Sequence, residues 1–230
     1  MHISDRGPRH TLAATRPPNG TIALKRDVFG TIGFDPEAEY VVRDYSAVSP
    51  WVRWLARVLA HREAHALRQL HAHEACPGLV SVTRERLVRT HLPGAALHES
   101  TFEPETWFRD ALRQLRRMHA SGVVHNDLAK EANWICMPGN RAGIVDFQIA
   151  WYSRRRGKLF RLLAREDLRH LLKHKKHYAA QRLTDRQRRL LAKPAWTARG
   201  WRRIAKPVYR LITRRLLGWP ERNSAVERSI

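Results

Sequence analysis

Apolar and polar positions change rhythm several times along this chain. Residues 1–19 show no period; they are polar, carry Pro8, Pro17 and Pro18, run into Gly20, and are expected to form a disordered leader. From residue 21 to 46, short apolar runs are cut by turns. Ile22-Ala23-Leu24 leads into Lys25 and Arg26. Phe29-Gly30-Thr31-Ile32-Gly33-Phe34 follows, then Asp35-Pro36, then Tyr40-Val41-Val42-Arg43-Asp44-Tyr45. This pattern predicts two or three strands. Pro50 and Trp51 open a helical pattern that reaches to about residue 73, with Leu55, Val58, Leu59, His65 and Leu67 as its apolar face. Pro77-Gly78 breaks it. Leu79–Thr83 and Arg86–His91 read as a strand pair that ends at Leu92-Pro93-Gly94. Residues 104–120 read as a helix stopped by Gly122, and residues 159–175 and 183–193 as basic helices. Residues 196–219 are rich in Trp and Arg, and the last ten residues are expected to fray. No internal repeat is visible.

The length, 230 residues, allows one or at most two domains, and an apolar fraction of 43% suffices for a core. No apolar run reaches the 18 residues of a spanning helix, and the first ten residues lack the apolar centre of a signal peptide. Cys76 and Cys136 are the only cysteines, which fits a reducing compartment, so a cytoplasmic location is expected. The net charge of +22 is unevenly placed. Residues 1–150 hold 19 Lys/Arg and 16 Asp/Glu, for +3; residues 151–230 hold 24 and 5, for +19. A block of that sign attracts phosphate-rich partners such as an anionic membrane, nucleic acid or a phosphorylated glycolipid.

The densest chemistry lies at residues 124–148. His125-Asn126-Asp127-Leu128 is followed by Asn133, and an apolar run, Gly143-Ile144-Val145, ends in Asp146-Phe147-Gln148. The order and spacing resemble the kinase signature His-Arg-Asp-Leu, Asn, Asp-Phe-Gly. The chain is similar to small, atypical, bacterial protein-kinase-like enzymes, nearest the RIO-type and lipopolysaccharide-kinase groups. The resemblance covers roughly residues 20–175. It implies an α+β, two-lobed fold: a β-rich lobe over residues 20–92, a mainly helical lobe over 93–195, and a basic helical extension over 196–230.

The resemblance assigns roles to residues. Asp127 becomes the group that orients the acceptor hydroxyl and takes its proton. Asn133 and Asp146 become magnesium ligands. The step from Asp127 to Asn133 is six residues, where the signature has five. Gln148 replaces the signature's last Gly, which removes a free positive-φ position and implies an enzyme without the usual activation-loop switch. Arg43 stands where the family has a strand Lys that grips the α- and β-phosphates, with Lys25 as a rival. Glu63, 20 residues on, is the expected helix partner of Arg43. Gly30 and Gly33 form either a phosphate-covering turn or a plain hairpin turn. Lys130 either reaches the γ-phosphate or faces solvent. His125 is expected to brace the loop. Asp167 either anchors the catalytic loop from below or caps its helix. His170, His174 and His177 share a helix with Lys173, Lys175 and Lys176 and read as a solvated basic face.

The C-terminal segment sets Trp196, Trp201, Tyr209 and Trp219 among Arg199, Arg202, Arg203, Lys206, Arg210, Arg214 and Arg215, with Pro207 as a kink. It suits an amphipathic helix on an anionic bilayer, a packed terminal helix, or nucleic-acid contact, the last without any recognised motif. The leading expectation is an ATP- and magnesium-dependent phosphotransferase. Its acceptor hydroxyl belongs to a protein Ser/Thr or to a sugar of a lipopolysaccharide core, and the tail favours a peripheral place at the inner membrane. A pseudokinase, or nucleotide-dependent binding module, is the alternative.

Overall fold

A computed structural model describes residues 22–27 and 29–192. The leader and the Trp/Arg-rich segment fall outside them. The chain divides into two compact units, Met1–Leu183 and Thr184–Ile230. In the second, the described part contains a short helix, Asp185–Ala192.

In the first unit, β1 (Ile22–Asp27), β2 (Gly30–Asp35) and β3 (Tyr40–Asp44) form a meander. Helix α1 (Pro50–Gln69) follows, then β4 (Leu79–Val82) and β5 (Arg86–Thr90). The five strands make one antiparallel sheet in the order β1-β2-β3-β5-β4. Strand alternation puts Val41, Arg43 and Tyr45 on one face, where Val41 pairs with Arg89 and Arg43 with Leu87. Tyr45 and Leu87 close a small core with Ala56, Ala60 and Ala64 of α1.

The buried face of α1 is not the one its large apolar residues suggest. Ala56, Ala60, Glu63, Ala64, Ala66 and Leu67 are buried, whereas Leu55 and Leu59 are half-buried and Val58 and His65 exposed. Trp51 and Trp54 face solvent too. Small side chains let the helix backbone approach the sheet closely, and that approach is what brings Glu63 to the strands.

The second half of the unit is built on α2 (Pro104–Ala120) and α3 (Lys158–Tyr178). Pro104 opens α2, and the Glu103 carboxylate accepts from the N–H groups of Glu105 and Thr106 at 2.9 and 2.7 Å. Gly122 ends it in a left-handed conformation. The helix buries Trp107, Phe108, Ala111, Leu115 and Met118 in the main core, beside Leu128, Trp134, Ile144 and Phe147. Three strands lie against it: β6 (Ala95–Ala96), β8 (Trp134–Met137) and β9 (Arg141–Ile144). Asp110 of α2 accepts from the Ala142 N–H at 2.8 Å and so fixes β9. A last short pair joins β7 (Val123–Val124) to β10 (Trp151–Tyr152). The motif segments are therefore suspended between pinned ends: residues 125–133 between β7 and β8, and 145–150 between β9 and β10.

Ala60→Leu, which overfills the contact between α1 and the sheet, is expected to lower stability by about 1–3 kcal/mol. Val58→Ser, on the outer face, should stay within about 0.5 kcal/mol. Urea unfolding of both variants tests which face is the inner one; a larger loss for Val58→Ser would reverse the assignment.

Candidate active site

The loop that follows β7 is held from beneath by one carboxylate. Asp167, 1% exposed in the middle of α3, accepts from the His125 N–H at 2.8 Å and the Asn126 N–H at 3.0 Å, and from His119 Nε2 at 3.1 Å. It is an anchor and not a helix cap. A buried carboxylate is tolerated only when such donors replace its water. Asn126 sits at φ 67°, a left-handed conformation that Asn accepts more readily than most residues, and its side chain donates to the Ile149 carbonyl at 3.0 Å.

His125 is fully buried and braces the loop from within. Its Nε2 donates to the Val145 carbonyl at 2.9 Å, and its Nδ1 accepts from the Asp127 N–H at 3.3 Å. Both bonds are satisfied by the neutral ring, and burial pushes its pKa down from the usual histidine range. The ring also packs on Phe147 at 4.7 Å between centroids. One side chain thus joins the segment of Asp127 to the segment of Asp146.

Asn133 is buried and meets Asp127 directly. Its Nδ2 donates to the Asp127 carbonyl at 2.9 Å and to the Asp127 carboxylate at 3.1 Å. Both amide hydrogens are used there, which leaves Oδ1 as the atom available to an electrophile. The six-residue step is absorbed by a single 3-10 turn, Glu131–Asn133. Lys130 does not simply face solvent: its ammonium pairs with the Asp127 carboxylate at 2.6 Å while most of its stem stays exposed.

Asp146 follows β9 at φ 67°. The Val145 N–H bonds the Asn133 carbonyl at 3.0 Å, so the two segments run side by side. Gln148, at the place of the absent Gly, donates to the Asp146 carboxylate at 2.7 Å. Phe147 lies in the core, and Arg62 of α1 reaches the Ile149 and Ala150 carbonyls at 3.4 Å. The carboxamide thus pins the carboxylate that a flexible Gly would leave free.

The cationic side differs from expectation. Glu63 is 2% exposed, and its ion-pair partner is Arg89 of β5 at 3.4 Å, not Arg43. Arg43, on the same sheet face, acts on Glu63 through its charge, as does Asp146. Burial raises the Glu63 pKa, and the two arginines oppose that rise. Antiparallel register explains the substitution of partners: Arg89 stands opposite Val41, one same-face position along from Arg43. Nothing local in the sequence marks Arg89 for this role, because its position follows from strand pairing alone. Lys25 lies on β1 opposite Ile32.

Gly30 and Gly33 do not share a turn. Gly30 ends the tight β1–β2 connection at φ 127°, where a Cβ would lie 2.1 Å from the Asp44 carbonyl oxygen. Gly33 lies within β2, opposite Val42. The glycine at residue 30 therefore serves a close backbone approach, and residue 33 is an ordinary strand position.

The solvated reading of the α3 histidines fails for His174. It is buried, donates from Nε2 to the Leu128 carbonyl at 2.9 Å, and faces Glu131 through Nδ1 at 3.4 Å. Tyr178, four residues on, donates to the other Glu131 oxygen at 2.9 Å. The i, i+4 spacing of His174 and Tyr178 is legible in the sequence; their inward direction is not.

Among the described residues no cluster of three His, Cys, Asp or Glu side chains is arranged to hold a metal, and no helix is long and apolar enough to cross a membrane. The Asp146 carboxylate and the Asn133 amide oxygen are the chemistry of a hard-cation site that keeps water and phosphate oxygens as its remaining ligands.

Residues 11–187 match the family model described as the RIO domain. No curated protein sequence matches the chain. Among solved structures, it is similar to the Rio2 kinase from Chaetomium thermophilum, with 13% identity, a TM-score of 0.55 and coverage of 87% of this chain and 74% of that one. The same kinase in its ADP/Mg2+–phosphoaspartate complex gives 13% identity and a TM-score of 0.53, over 82% and 68% of the two chains. At that identity the likeness concerns the fold.

Burial lowers the pKa of His73, His125 and His170 below 6.5, the last to about 4. The unfolded chain takes up protons near pH 6.5 that the folded chain refuses. Stability is therefore complete above that pH and lost as the pH falls toward 4. Glu63, with its raised pKa, works in the opposite sense as one group against three. Thermal unfolding is expected to show a lower midpoint at about pH 5 than at about pH 7.5, with part of the loss absent in His170→Gln. A midpoint that rises on acidification would contradict these shifts.

Proposed function

The chain belongs to the RIO-domain family, and we propose that it is an ATP- and magnesium-dependent phosphotransferase that delivers the γ-phosphoryl group to a hydroxyl. The observation that carries the reading is the pairing of Asn133 with Asp127. The amide nitrogen is committed to the carboxylate, its oxygen is left over, and the joined segment of Asp146 runs alongside. The Rio2 kinase of similar fold, with ADP and Mg2+ in its complex, supports ATP and Mg2+ as the cofactors.

Asn133 Oδ1 and the Asp146 carboxylate would hold the magnesium ion, which when bound neutralises charge on the phosphate oxygens. Asp127 accepts the hydrogen bond of the acceptor hydroxyl and orients its oxygen toward the γ-phosphorus. The new oxygen–phosphorus bond forms as the bond to the β–γ bridging oxygen breaks. ADP leaves, and the hydroxyl proton passes to Asp127. Lys130, paired with Asp127 at 2.6 Å, would exchange that partner for the γ-phosphate. Arg43 and Arg89 supply two cations on the sheet face beside Glu63 for the α- and β-phosphates, a role in which Arg offers a planar fork where Lys offers a point charge.

The acceptor is a protein Ser/Thr or a lipopolysaccharide-core sugar, with the basic C-terminal residues favouring work at the inner membrane surface. A second reading, a nucleotide-dependent binding module, draws support from the Glu63–Arg89 pair and from Gln148 on Asp146.

Transfer from labelled ATP in the presence of magnesium, scored on the protein itself and on a cell-envelope extract, tests the proposal. Asp127→Ala and Asp146→Ala should each lower the rate by at least about a hundredfold. Label lost in both variants identifies the enzyme, and the labelled fraction names the acceptor class. Magnesium-dependent ATP binding without any transfer in the wild type favours the binding module, and no ATP binding overturns both readings.

A further inference from the structure

Asp127 and Asn133 are separated by one residue more than the signature provides, yet their side chains still meet at 3.1 Å. Something must take up the extra residue without displacing either group. The 3-10 turn that absorbs it begins at Glu131, and Asn133 closes it with an N–H bond to the Lys130 carbonyl at 3.2 Å. Glu131 is thus the point from which the tilt of the turn is passed to Asn133.

Glu131 meets α3 at both carboxylate oxygens, and the phenol of Tyr178 is the hydrogen-bond donor. Tyr178 donates to one at 2.9 Å, and His174 Nδ1 faces the other at 3.4 Å. His174 also donates to the Leu128 carbonyl at 2.9 Å, so a single imidazole touches the loop on both sides of Lys130. The Tyr178 ring is held against Phe102 and Phe108, with centroids 5.3 and 6.4 Å apart. The donor therefore comes from a rigid helix end packed on the main core. A phenol donating to a carboxylate makes a bond stronger than one between neutral groups.

We propose that Glu131, Tyr178 and His174 form a positioning clamp that sets where Asn133 stands relative to Asp127, and through it the magnesium affinity of the site. These are positioning residues; none is placed to touch substrate. The inference rests on the reading of Asn133 as a metal ligand given above. Groups behind metal ligands commonly govern affinity by fixing the ligand's direction, and their loss weakens binding by about 10–100-fold.

The test uses the full chain and titrates Mg2+ at fixed concentration of a fluorescent ATP analogue. Tyr178→Phe keeps the ring packing and removes only the donor, so it carries the test if Glu131→Ala fails to fold. Each variant should raise the Mg2+ concentration at half-saturation by about tenfold, leave nucleotide binding without Mg2+ unchanged, and shift the thermal midpoint by no more than about 4 °C. The double variant should do no worse than Glu131→Ala alone, since the two residues act through one contact. Asn133→Ala is the reference. If it raises the Mg2+ requirement and Tyr178→Phe does not, the clamp is refuted and the metal site stands. If Asn133→Ala leaves the requirement unchanged, the metal assignment falls and the clamp falls with it.

Discussion

The burial of Asp167 is the constraint on which the rest of the site depends. A carboxylate at 1% exposure costs several kcal/mol to desolvate, and only a full set of donors offsets that. Here the donors are two consecutive loop N–H groups and a histidine from α2. The requirement works in both directions. The loop cannot leave Asp167 without stranding a buried charge, and α3 cannot shift without releasing the loop. The positive φ of Asn126 is a consequence, because successive N–H groups point at one carboxylate only when the backbone turns that way.

From that anchor the site is built by side chains that join segments distant in sequence. His125 carries the constraint to Val145, and Asn133 returns it through the Val145 N–H. Asp146 is then delivered at the end of β9, whose own place is set by Asp110 of α2. The result is an acidic and amide-bearing cluster fixed before any ligand arrives, which is the preorganisation that phosphoryl transfer chiefly needs. Gln148 extends this rigidity to the Asp146 carboxylate itself.

The cationic wall obeys a different rule. Glu63 is buried by the alanine face of α1, and a buried carboxylate takes the nearest available cation. Strand register puts Arg89 as well as Arg43 on that face, and the contact falls to Arg89. Two arginines around one glutamate distribute the charge that a single lysine carries in the kinase signature. That arrangement follows from which residues the sheet aligns, not from the spacing between Arg43 and Glu63.

The sequence by itself determined the order of the first five strands and of α1, α2 and α3, the ends of α2 at Pro104 and Gly122, and the three acidic and amide positions of the motif. Those features are local. Proline, glycine, short apolar runs and a signature of 25 residues act over distances that neighbours along the chain control. The tertiary structure decided which face of α1 is inside, because close packing selects small side chains and a hydrophobic count favours large ones. It decided that Arg89 meets Glu63, that Gly33 is a strand residue, and that His174 points inward to the loop. Each depends on register or on helix rotation, and neither is fixed until the elements pack. It also decided that the six-residue step passes through a 3-10 turn whose first residue, Glu131, meets Tyr178 and His174 of α3.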